Sequence, residues 1–413
     1  MGTADYDLVI LGSGPAGQRA AIEASRHGMR VAIVEKQQLI GGVCLHTGTM
    51  PSKALREAVL NLTGWNLRSL YPAMGGEPPS VSMDDLKQHV DGVIAKELAV
   101  IERTMSRFHV DLCRGCARLE GPGRVGVGGP SGELELRARA ILIATGTTAL
   151  RPPEIPFNGE TIIDSDELYS IRRLPRTLTI IGGGVIALEY ASVLSLLGIG
   201  VTLVVRGAKI LPYMDPDIVA SLAEHLARLG VEVRTGAVVR SVEVGEDGRP
   251  RVELVEGAPL VSDLVMAAVG RVGTGADLNL RAAGLEPDGS GLIRVDGRFR
   301  TRVDGIFAAG DIIGPPATAS TARNQGRLAV RHLLGLPVAP EASALLPFGV
   351  YTVPEMAFVG RTEGELEKAS VPFVRGVARF RDVARGEIIG DASGMLKLLF
   401  HRGTRRLLGA HVI

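Results

Sequence analysis

The fold of the first part of the chain is decided by the stretch Leu8-Val9-Ile10-Leu11-Gly12-Ser13-Gly14-Pro15-Ala16-Gly17. Its apolar half predicts a strand and its glycines predict a turn, and residues 18–27 and 30–34 predict a helix and a second strand. In such a βαβ unit Gly12 makes the turn, Gly14 lets the backbone approach a pyrophosphate, and Gly17 lets the helix pack on the strand. Glu35 closes the second strand, where an acid binds ribose hydroxyls. Together these parts predict an adenine dinucleotide site, and the alternative is a structural turn that binds no phosphate.

A second unit of the same design begins with the apolar run 178–181 and continues into Gly182-Gly183-Gly184-Val185-Ile186-Ala187. A helix through Glu189 to residue 197 and a strand over 201–205 are predicted to follow. When Gly12 is aligned on Gly182, Val205 takes the place of Glu35, Arg206 comes next, and Lys209 lies one turn further on. A guanidinium accepts a 2′-phosphate that a carboxylate would repel, so the second unit is predicted to prefer NADP(H). The alternative is a solvated arginine at a strand end.

Between the two units lies the stretch Gly41-Gly42-Val43-Cys44-Leu45-His46-Thr47-Gly48-Thr49-Met50-Pro51-Ser52-Lys53. We predict that it belongs to the first helix after the first dinucleotide unit. Cys44 is followed five residues later by Thr49, whereas a redox pair needs two sulfurs that can close on each other. An internal disulfide at this pair is therefore excluded. The alternative interpretation is a glycine-rich loop with a buried free cysteine.

Several further segments have a clear pattern. Helices are predicted over 54–70, 83–107 and 318–334, and strands over 140–146, 263–270, 305–311, 350–359, 395–401 and 408–413. Residues 111–136 alternate and are rich in glycine, which predicts a small antiparallel meander. Cys113 and Cys116 lie inside it as a CxxC motif without a following helix, so redox or metal chemistry is the less favoured reading there.

Composition limits the class of protein. The chain has 413 residues, 46% of them hydrophobic and 22% charged, which predicts a globular protein of two or three domains. The net charge of +1 gives no electrostatic reason to expect binding to nucleic acid or to an anionic membrane. Three cysteines cannot close a disulfide framework, and neither a signal segment nor a membrane-spanning run is recognisable. These observations predict a cytoplasmic location.

The predicted fold class is α/β, with two Rossmann-like dinucleotide-binding domains and an α+β interface domain. The first dinucleotide domain is discontinuous, over 1–149 and 273–340, and the second, over 150–272, is inserted into it, with a linker around Arg151 to Pro156. Residues 341–413 are predicted to form an interface domain. The sequence ends on a predicted strand of this domain, so we expect the domain to be partial.

Two dinucleotide folds that flank a cysteine helix resemble the FAD-dependent pyridine nucleotide–disulfide oxidoreductases over essentially the whole chain. Within that family, GGVCLHTGTMPSKALREA, with threonine at the position of the second cysteine, is similar to the soluble, Si-specific NAD(P) transhydrogenase branch. The segments GVYTVPEMAFVG and ARGEIIGDASGMLKLLF support the same branch.

The resemblance implies a set of site residues. Lys53 would stand by the flavin N5 with Glu189 as its partner, and Cys44 and Thr49 would complete the catalytic stretch. FAD would be bound by Gly12, Gly14, Gly17, Glu35, Gly42, Lys53, Thr145, Gly146, Gly310 and Asp311. The nicotinamide cofactor would be bound by Gly182, Gly184, Ala187, Arg206, Lys209 and Gly270.

The implied reaction passes hydride from NADPH through FAD to NAD⁺ without a redox disulfide, because Thr49 cannot act as a thiolate. One alternative is an NADPH-dependent flavoenzyme that reduces a quinone, a metal ion or another small acceptor. Another is a flavin-binding interaction protein without turnover. Members of the family form homodimers through helices that continue some tens of residues beyond position 413, so weakened dimerisation is expected for this chain.

Overall fold

The computed structural model describes residues 5–65, 81–129, 132–339, 346–389 and 393–413. It divides into two compact units. The first unit contains residues 1–51, 90–148 and 271–342, and the second contains 52–89, 149–270 and 343–413. These units are defined by contacts rather than by bound cofactors, so the assignment of cofactor domains stays a prediction.

The helices of the described residues are α1 Pro15–Arg26, α2 Gly42–His46, α3 Thr49–Leu62, α4 Met83–Arg107, α5 Val185–Ser195, α6 Pro216–Arg228, α7 Ala319–Leu333, α8 Glu363–Lys368 and α9 Ala384–Ile389. The strands are β1 Tyr6–Leu11, β2 Val31–Glu35, β3 Asp111–Arg114, β4 Cys116–Gly121, β5 Arg124–Gly129, β6 Gly132–Ile143, β7 Thr147–Ala149, β8 Ile162–Asp164, β9 Thr177–Ile181, β10 Gly200–Val205, β11 Glu232–Thr235, β12 Val239–Val244, β13 Pro250–Leu254, β14 Leu260–Val261, β15 Leu264–Ala267, β16 Arg271–Gly273, β17 Ile306–Ala308, β18 Phe348–Val350, β19 Met356–Gly360, β20 Phe373–Arg379, β21 Met395–His401 and β22 Leu407–Val412.

A parallel sheet of order β3-β2-β1-β6-β17 forms the centre of the first unit. Leu8 and Ile10 of β1 belong to one apolar cluster, whereas Val9 and Leu11 belong to the other. The sheet is therefore buried on both faces, which explains why its strands read as continuous apolar runs. The predicted βαβ unit is confirmed as β1, α1 and β2.

The predicted meander over 111–136 is wrong at its start. Strand β3 pairs parallel with β2, and only β4, β5 and the first half of β6 form the antiparallel layer. Gly115, with φ of +153°, separates the two strands and turns the chain from one sheet to the other. Cys113 lies on β3 and Cys116 begins β4, so the expectation that no helix follows this CxxC motif is confirmed.

The second unit contains a parallel sheet of order β11-β10-β9-β15-β8 and a small antiparallel sheet of β12, β13 and β14. Its C-terminal part is an antiparallel sheet of order β18-β19-β22-β21-β20, which agrees with the predicted α+β domain. The predicted strand 350–359 is wrong as one element, because residues 351–355 interrupt it between β18 and β19. The mixed α/β class is confirmed.

Two predicted helices need comment. The helix over 83–107 is found with those bounds, whereas the end of the helix predicted over 54–70 lies outside the described residues. The cysteine stretch forms two helices rather than one, since α2 ends at His46 and α3 begins at Thr49. Pro51 explains the second start, because proline is favoured in the first turn of a helix. Within the described residues, no helix has both the length and the apolar character needed to cross a membrane.

Candidate functional site

The first glycine turn has the backbone geometry that its sequence predicts. Gly12 has φ of +104°, and a Cβ there would lie 2.5 Å from the Ala144 carbonyl oxygen, so only glycine fits. A Cβ on Gly17 would overlap the Gly12 carbonyl oxygen. Gly14 differs, because nothing lies within 4 Å of the place where its Cβ would be. It precedes α1, whose N-terminus has no side-chain cap, so the first N–H groups of the helix face an open space suited to a phosphate.

Glu35 is buried beside this turn. Its Oε2 accepts hydrogen bonds from the Ser13 N–H at 3.0 Å and the Ser13 hydroxyl at 2.6 Å, and its Oε1 accepts one from the Gln37 N–H at 2.9 Å. A carboxylate offers about four lone-pair sites, so one acceptor position remains for a ribose hydroxyl. Ser13, which the sequence analysis did not single out, thus orients the predicted ribose acceptor.

The other residues predicted to bind FAD in the first unit converge on the same turn. A Cβ on Gly42 would lie 3.0 Å from the Gly14 Cα, and one on Gly310 would lie 3.0 Å from the Ala16 Cβ. The Gly41 N–H also donates to the Ser13 hydroxyl at 2.9 Å. Four segments that are far apart in the sequence therefore meet at the start of α1, the fourth being Thr145 and Gly146 directly after Ala144.

Two desolvated polar groups lie near this turn. The Thr145 hydroxyl is buried and has no hydrogen-bond partner among the described residues. Burial raises the pKa of the Asp311 carboxyl, although the charge of Arg271 opposes the rise. An unpartnered hydroxyl and a desolvated carboxyl beside an open glycine turn fit a ligand that carries hydroxyl and phosphate groups.

Cys44 is a free thiol on α2. Burial raises the pKa of the Cys44 thiol, while a hydrogen bond with Thr49 and the charge of Arg323 act against the rise. The structure thus brings Cys44 and Thr49 together, and the partner of the sulfur is a hydroxyl. A raised pKa disfavours the thiolate, which is the reactive form of cysteine.

The second glycine turn repeats the geometry of the first within the second unit. Gly182 has φ of +139°, and its Cβ would overlap the Ala268 carbonyl oxygen. Gly184 precedes α5, which has no side-chain cap, and nothing lies within 4 Å of its Cβ position. Ala187 is fully buried in the first turns of α5. This helix N-terminus is again open to a phosphate.

The segment after β10 carries the predicted 2′-phosphate site. Val205 is buried, with its side chain against Gly183, whereas Arg206 and Lys209 are exposed. Among the described residues the Arg206 side chain has neither an ion pair nor a hydrogen bond, so its guanidinium is available to a ligand. Gly270 has φ of +139° and is exposed, and its carbonyl accepts a hydrogen bond from the Leu150 N–H.

Lys53 and Glu189 form an ion pair in the second unit, with Nζ 2.7 Å from Oε2. The other oxygen of Glu189 accepts a hydrogen bond from the Tyr351 N–H at 2.9 Å. The Lys53 ammonium also lies 4.6 Å from the centroid of the Tyr351 ring and donates to the Ser52 hydroxyl at 3.1 Å. The cation is therefore held by a carboxylate, a hydroxyl and an aromatic face at once.

Tyr351 was missed by sequence reasoning, although it lies inside the quoted segment GVYTVPEMAFVG. Its partner Glu189 is 162 residues away, so neither helical nor strand spacing indicates the contact. No group of three or more His, Cys, Asp or Glu side chains that would hold a metal ion occurs in the part of the chain that the structure describes.

Comparison with curated proteins shows close similarity over nearly the whole chain. A protein named soluble pyridine nucleotide transhydrogenase from Mycobacterium bovis (strain BCG / Pasteur 1173P2) is 43% identical over 410 residues, which cover 99% of this chain and 87% of the relative. One of the same name from Hahella chejuensis is 41% identical over 407 residues, covering 98% of this chain and 87% of the relative.

Solved structures give the same fold. LpdA from Mycobacterium tuberculosis has a TM-score of 0.90 at 29% identity and covers 98% of this chain and 89% of its own. The Cu(II) complex of the HOCl-induced flavoprotein disulfide reductase RclA from Escherichia coli has a TM-score of 0.87 at 27% identity. The match covers 99% of this chain and 89% of the RclA chain. A family model described as pyridine nucleotide-disulphide oxidoreductase matches residues 6–326, and the model of the dimerisation domain of that family matches residues 346–413. The chain belongs to the pyridine nucleotide–disulphide oxidoreductase family.

Proposed function

We propose that this protein is a flavoprotein that transfers hydride from NADPH to NAD⁺. The observation that carries the proposal is the pair of open glycine turns, one followed by Glu35 and the other by Val205 and Arg206. The names of the relatives at 41–43% identity support this reading.

The first unit supplies the groups that would hold FAD. The uncapped N-terminus of α1 offers N–H groups and positive dipole potential to the pyrophosphate. Glu35 offers its free acceptor position to the ribose, and the Thr145 hydroxyl and the Asp311 carboxyl offer hydrogen bonds to further hydroxyl groups of the cofactor. When bound there, FAD would supply the hydride-transfer chemistry between the two nicotinamide nucleotides.

The second unit supplies a fixed positive charge. We assign Lys53 as the residue that stabilises negative charge on the cofactor, and Glu189 and Tyr351 as the groups that hold its ammonium in place. A lysine on an exposed surface would sample many rotamers, whereas three contacts restrict this one. A purely structural ion pair is the alternative, and the effect of Lys53→Met on flavin reduction distinguishes the two.

The N-terminus of α5 would bind the pyrophosphate of the nicotinamide cofactor, and Arg206 and Lys209 would bind its 2′-phosphate. The backbone at Gly270 would also contact the cofactor. NAD⁺ lacks the 2′-phosphate and would bind there more weakly, after NADP⁺ has left the shared site.

The stretch around Cys44 is proposed to act without a disulfide. Because the hydrogen-bond partner of Cys44 is Thr49 and the pKa of the thiol is raised by burial, we propose that no thiolate accepts electrons there.

The test is anaerobic mixing of the holoprotein with NADPH, followed by NAD⁺, while flavin absorbance is recorded. We expect the absorbance to bleach with NADPH and to return with NAD⁺, and Cys44→Ser should behave in the same way. Bleaching without return would favour another acceptor, for which the Cu(II) complex of RclA suggests Cu(II) as the first compound to try. No bleaching would favour a binding protein without turnover.

We further propose a homodimer that assembles through the dimerisation domain over 346–413, in a reducing compartment such as the cytoplasm, since all three cysteines are free. Light scattering at micromolar concentration tests the homodimer: a stable dimer supports the proposal, and mainly monomer contradicts it.

A further inference from the structure

The C-terminal sheet of the second unit carries a lysine with no exposed surface. Lys397, on β21, has 0% side-chain exposure, and its Nζ lies 2.9 Å from Asp215 Oδ1, 2.7 Å from Asp217 Oδ2 and 3.1 Å from Glu363 Oε2. Burial opposes the charge of Lys397, but the hydrogen bonds to the three carboxylates outweigh it and raise its pKa. The three N–H donors of the ammonium are therefore matched by three acceptors.

Asp215 connects this lysine to α6. The Asp215 side chain caps α6 by accepting a hydrogen bond from the Asp217 N–H at 3.1 Å, and the same Oδ1 atom is the one bound by Lys397. Asp217 is in the first turn of the helix. Lys397 therefore binds both the N-cap residue of α6 and a residue of its first turn, and so helps to hold the N-terminus of the helix in place.

The nine residues directly before Asp215, residues 206–214, contain the proposed 2′-phosphate ligands, and we name this segment the specificity loop. Its first four residues, which include Arg206 and Lys209, are exposed, whereas Leu211 and Met214 are buried. The Leu211 N–H donates to the Gly183 carbonyl oxygen at 3.2 Å, and the Gly236 N–H donates to the Gly207 carbonyl oxygen at 2.9 Å. The first bond ties the loop to the glycine turn and the second ties it to the residue after β11, while the far end of the loop adjoins Asp215.

A second contact joins the specificity loop to the C-terminal sheet. Tyr213 of the loop and Phe348 of β18 are in edge-to-face contact, with ring centroids 6.4 Å apart. The loop and the sheet belong to the same compact unit. The sheet therefore holds the loop at two points, the aromatic contact at Tyr213 and the ion pair of Lys397 with Asp215.

We propose that Lys397 is a positioning residue for cofactor selectivity: by fixing Asp215, it sets the path of the specificity loop and hence the place of Arg206 and Lys209. This inference rests on the proposed function, in which those two side chains bind the 2′-phosphate. A buried ammonium is a costly way to gain stability, because an apolar residue of similar size often stabilises a fold as well or better. What an ammonium with three directed bonds adds is a fixed geometry for its partners.

The experiment compares ligands with and without a 2′-phosphate on the FAD-loaded protein. Dissociation constants for NADP⁺ and NAD⁺, which do not reduce the oxidised flavin, and for adenosine 2′,5′-bisphosphate and adenosine 5′-monophosphate, are measured by calorimetry for the unmutated protein and for Lys397→Met. We expect Lys397→Met to weaken binding of the two 2′-phosphorylated ligands by roughly three- to tenfold and to leave the other two within about twofold. An equal loss for all four ligands would overturn the inference, since a merely structural lysine would act on all of them.

Asp217→Asn keeps the test decisive if Lys397→Met does not fold. The Asp217 side chain is 46% exposed, so its substitution removes one charge from the cluster with less risk of unfolding the protein. We expect a smaller loss of affinity that is again confined to the 2′-phosphorylated ligands. Val374→Ala, at an exposed position on β20 of the same sheet, is the matched control and should change none of the four constants.

Arg206→Met separates the two proposals. If it abolishes the preference for 2′-phosphorylated ligands while Lys397→Met and Asp217→Asn do not reduce that preference, the inference about Lys397 fails and the proposed function stands. If Arg206→Met has no effect, the assignment of the 2′-phosphate site fails, and the role of Lys397 falls with it.

Discussion

The ion pair between Lys53 and Glu189 gives the sharpest quantitative prediction. Substitution of Glu189 by glutamine removes the negative charge that faces the Lys53 ammonium. It keeps an oxygen that can accept the hydrogen bond from the Tyr351 N–H. Lys53→Met removes the cation and keeps an apolar chain of similar length. The two substitutions therefore isolate the charge interaction from the packing around it.

The size of the effect follows from exposure. An exposed ion pair contributes about 0.2–1 kcal/mol, whereas removal of one partner of a buried pair costs about 3–5 kcal/mol. The side chains of Lys53 and Glu189 are 26% and 10% exposed, so this pair lies between those limits. We expect Glu189→Gln to lower the free energy of unfolding of the second unit by about 1–2 kcal/mol. Glu189→Ala, which also leaves the Tyr351 N–H without its acceptor, should cost about 1 kcal/mol more.

The assay is urea unfolding followed by tryptophan fluorescence. The chain has one tryptophan, Trp65, and it belongs to the second unit, so its signal reports on that unit. A double-mutant cycle with Lys53→Met and Glu189→Gln should show a coupling free energy of about 1 kcal/mol. If the losses of stability in the two single variants add up to that of the double variant within about 0.3 kcal/mol, the contact between Lys53 and Glu189 does not stabilise the fold and the reasoning is wrong.

Three further predictions concern the other sites. Cys44→Ser should lower NADPH-to-NAD⁺ turnover less than about tenfold, or about 1.4 kcal/mol of barrier, and a loss of several orders of magnitude with FAD still bound would assign the thiol a role in turnover. Val205→Glu combined with Arg206→Met should turn the preference from NADPH to NADH in stopped-flow reduction, since a charge-assisted bond of about 1.5–3 kcal/mol is lost; an unchanged preference would make Arg206 a mere surface residue. The hydrogen bond from Lys397 lowers the pKa of Asp217, so this carboxylate stabilises the fold above its ordinary pKa of about 3.9, and that contribution disappears as pH falls through the lowered value. Asp217→Asn should therefore flatten the acid limb of the stability curve, and an unchanged limb would contradict the assignment.

The sequence was informative wherever the signal is local. The two βαβ units were predictable because each consists of an apolar run, a glycine turn and a helix-compatible stretch within about 30 residues. The pairing of β3 was not, because its partner β2 lies about 80 residues earlier and glycine-rich alternation is equally typical of a meander. The division between α2 and α3 carried a signal in Pro51 that a single-helix reading passed over.

For the candidate site, the sequence indicated residue types better than contacts. The glycines and Glu35 were identified from spacing, whereas the pairing of Lys53 with Glu189 came from the family resemblance. Lys397 was missed because its polarity suggests a solvent-exposed position. Strand periodicity nevertheless places it on the buried face of β21 with Met395 and Leu399, while Leu396 points outward. Only the carboxylates supplied by distant segments make that position tolerable.

Helix α5 shows how one element serves both the fold and the site. Residues 187–194 are all buried, as expected for a helix that is apolar on every side. Glu189 and Ser192 interrupt this apolar surface three residues apart, so they lie on one face. The carboxylate accepts the Tyr351 N–H, and the Ser192 hydroxyl accepts the Val353 N–H at 3.1 Å.

An acid in such a helix is costly unless both oxygens are satisfied, and both are, one by the backbone of the 351–353 segment and the other by Lys53. A leucine at position 189 would leave the Tyr351 N–H without its acceptor and the Lys53 ammonium without its carboxylate. The N-terminus of the same helix is the open end at Gly184. A single rigid helix therefore positions the proposed pyrophosphate site and the proposed catalytic lysine, which is why we expect substitutions of Glu189 to affect catalysis more than their cost in stability suggests.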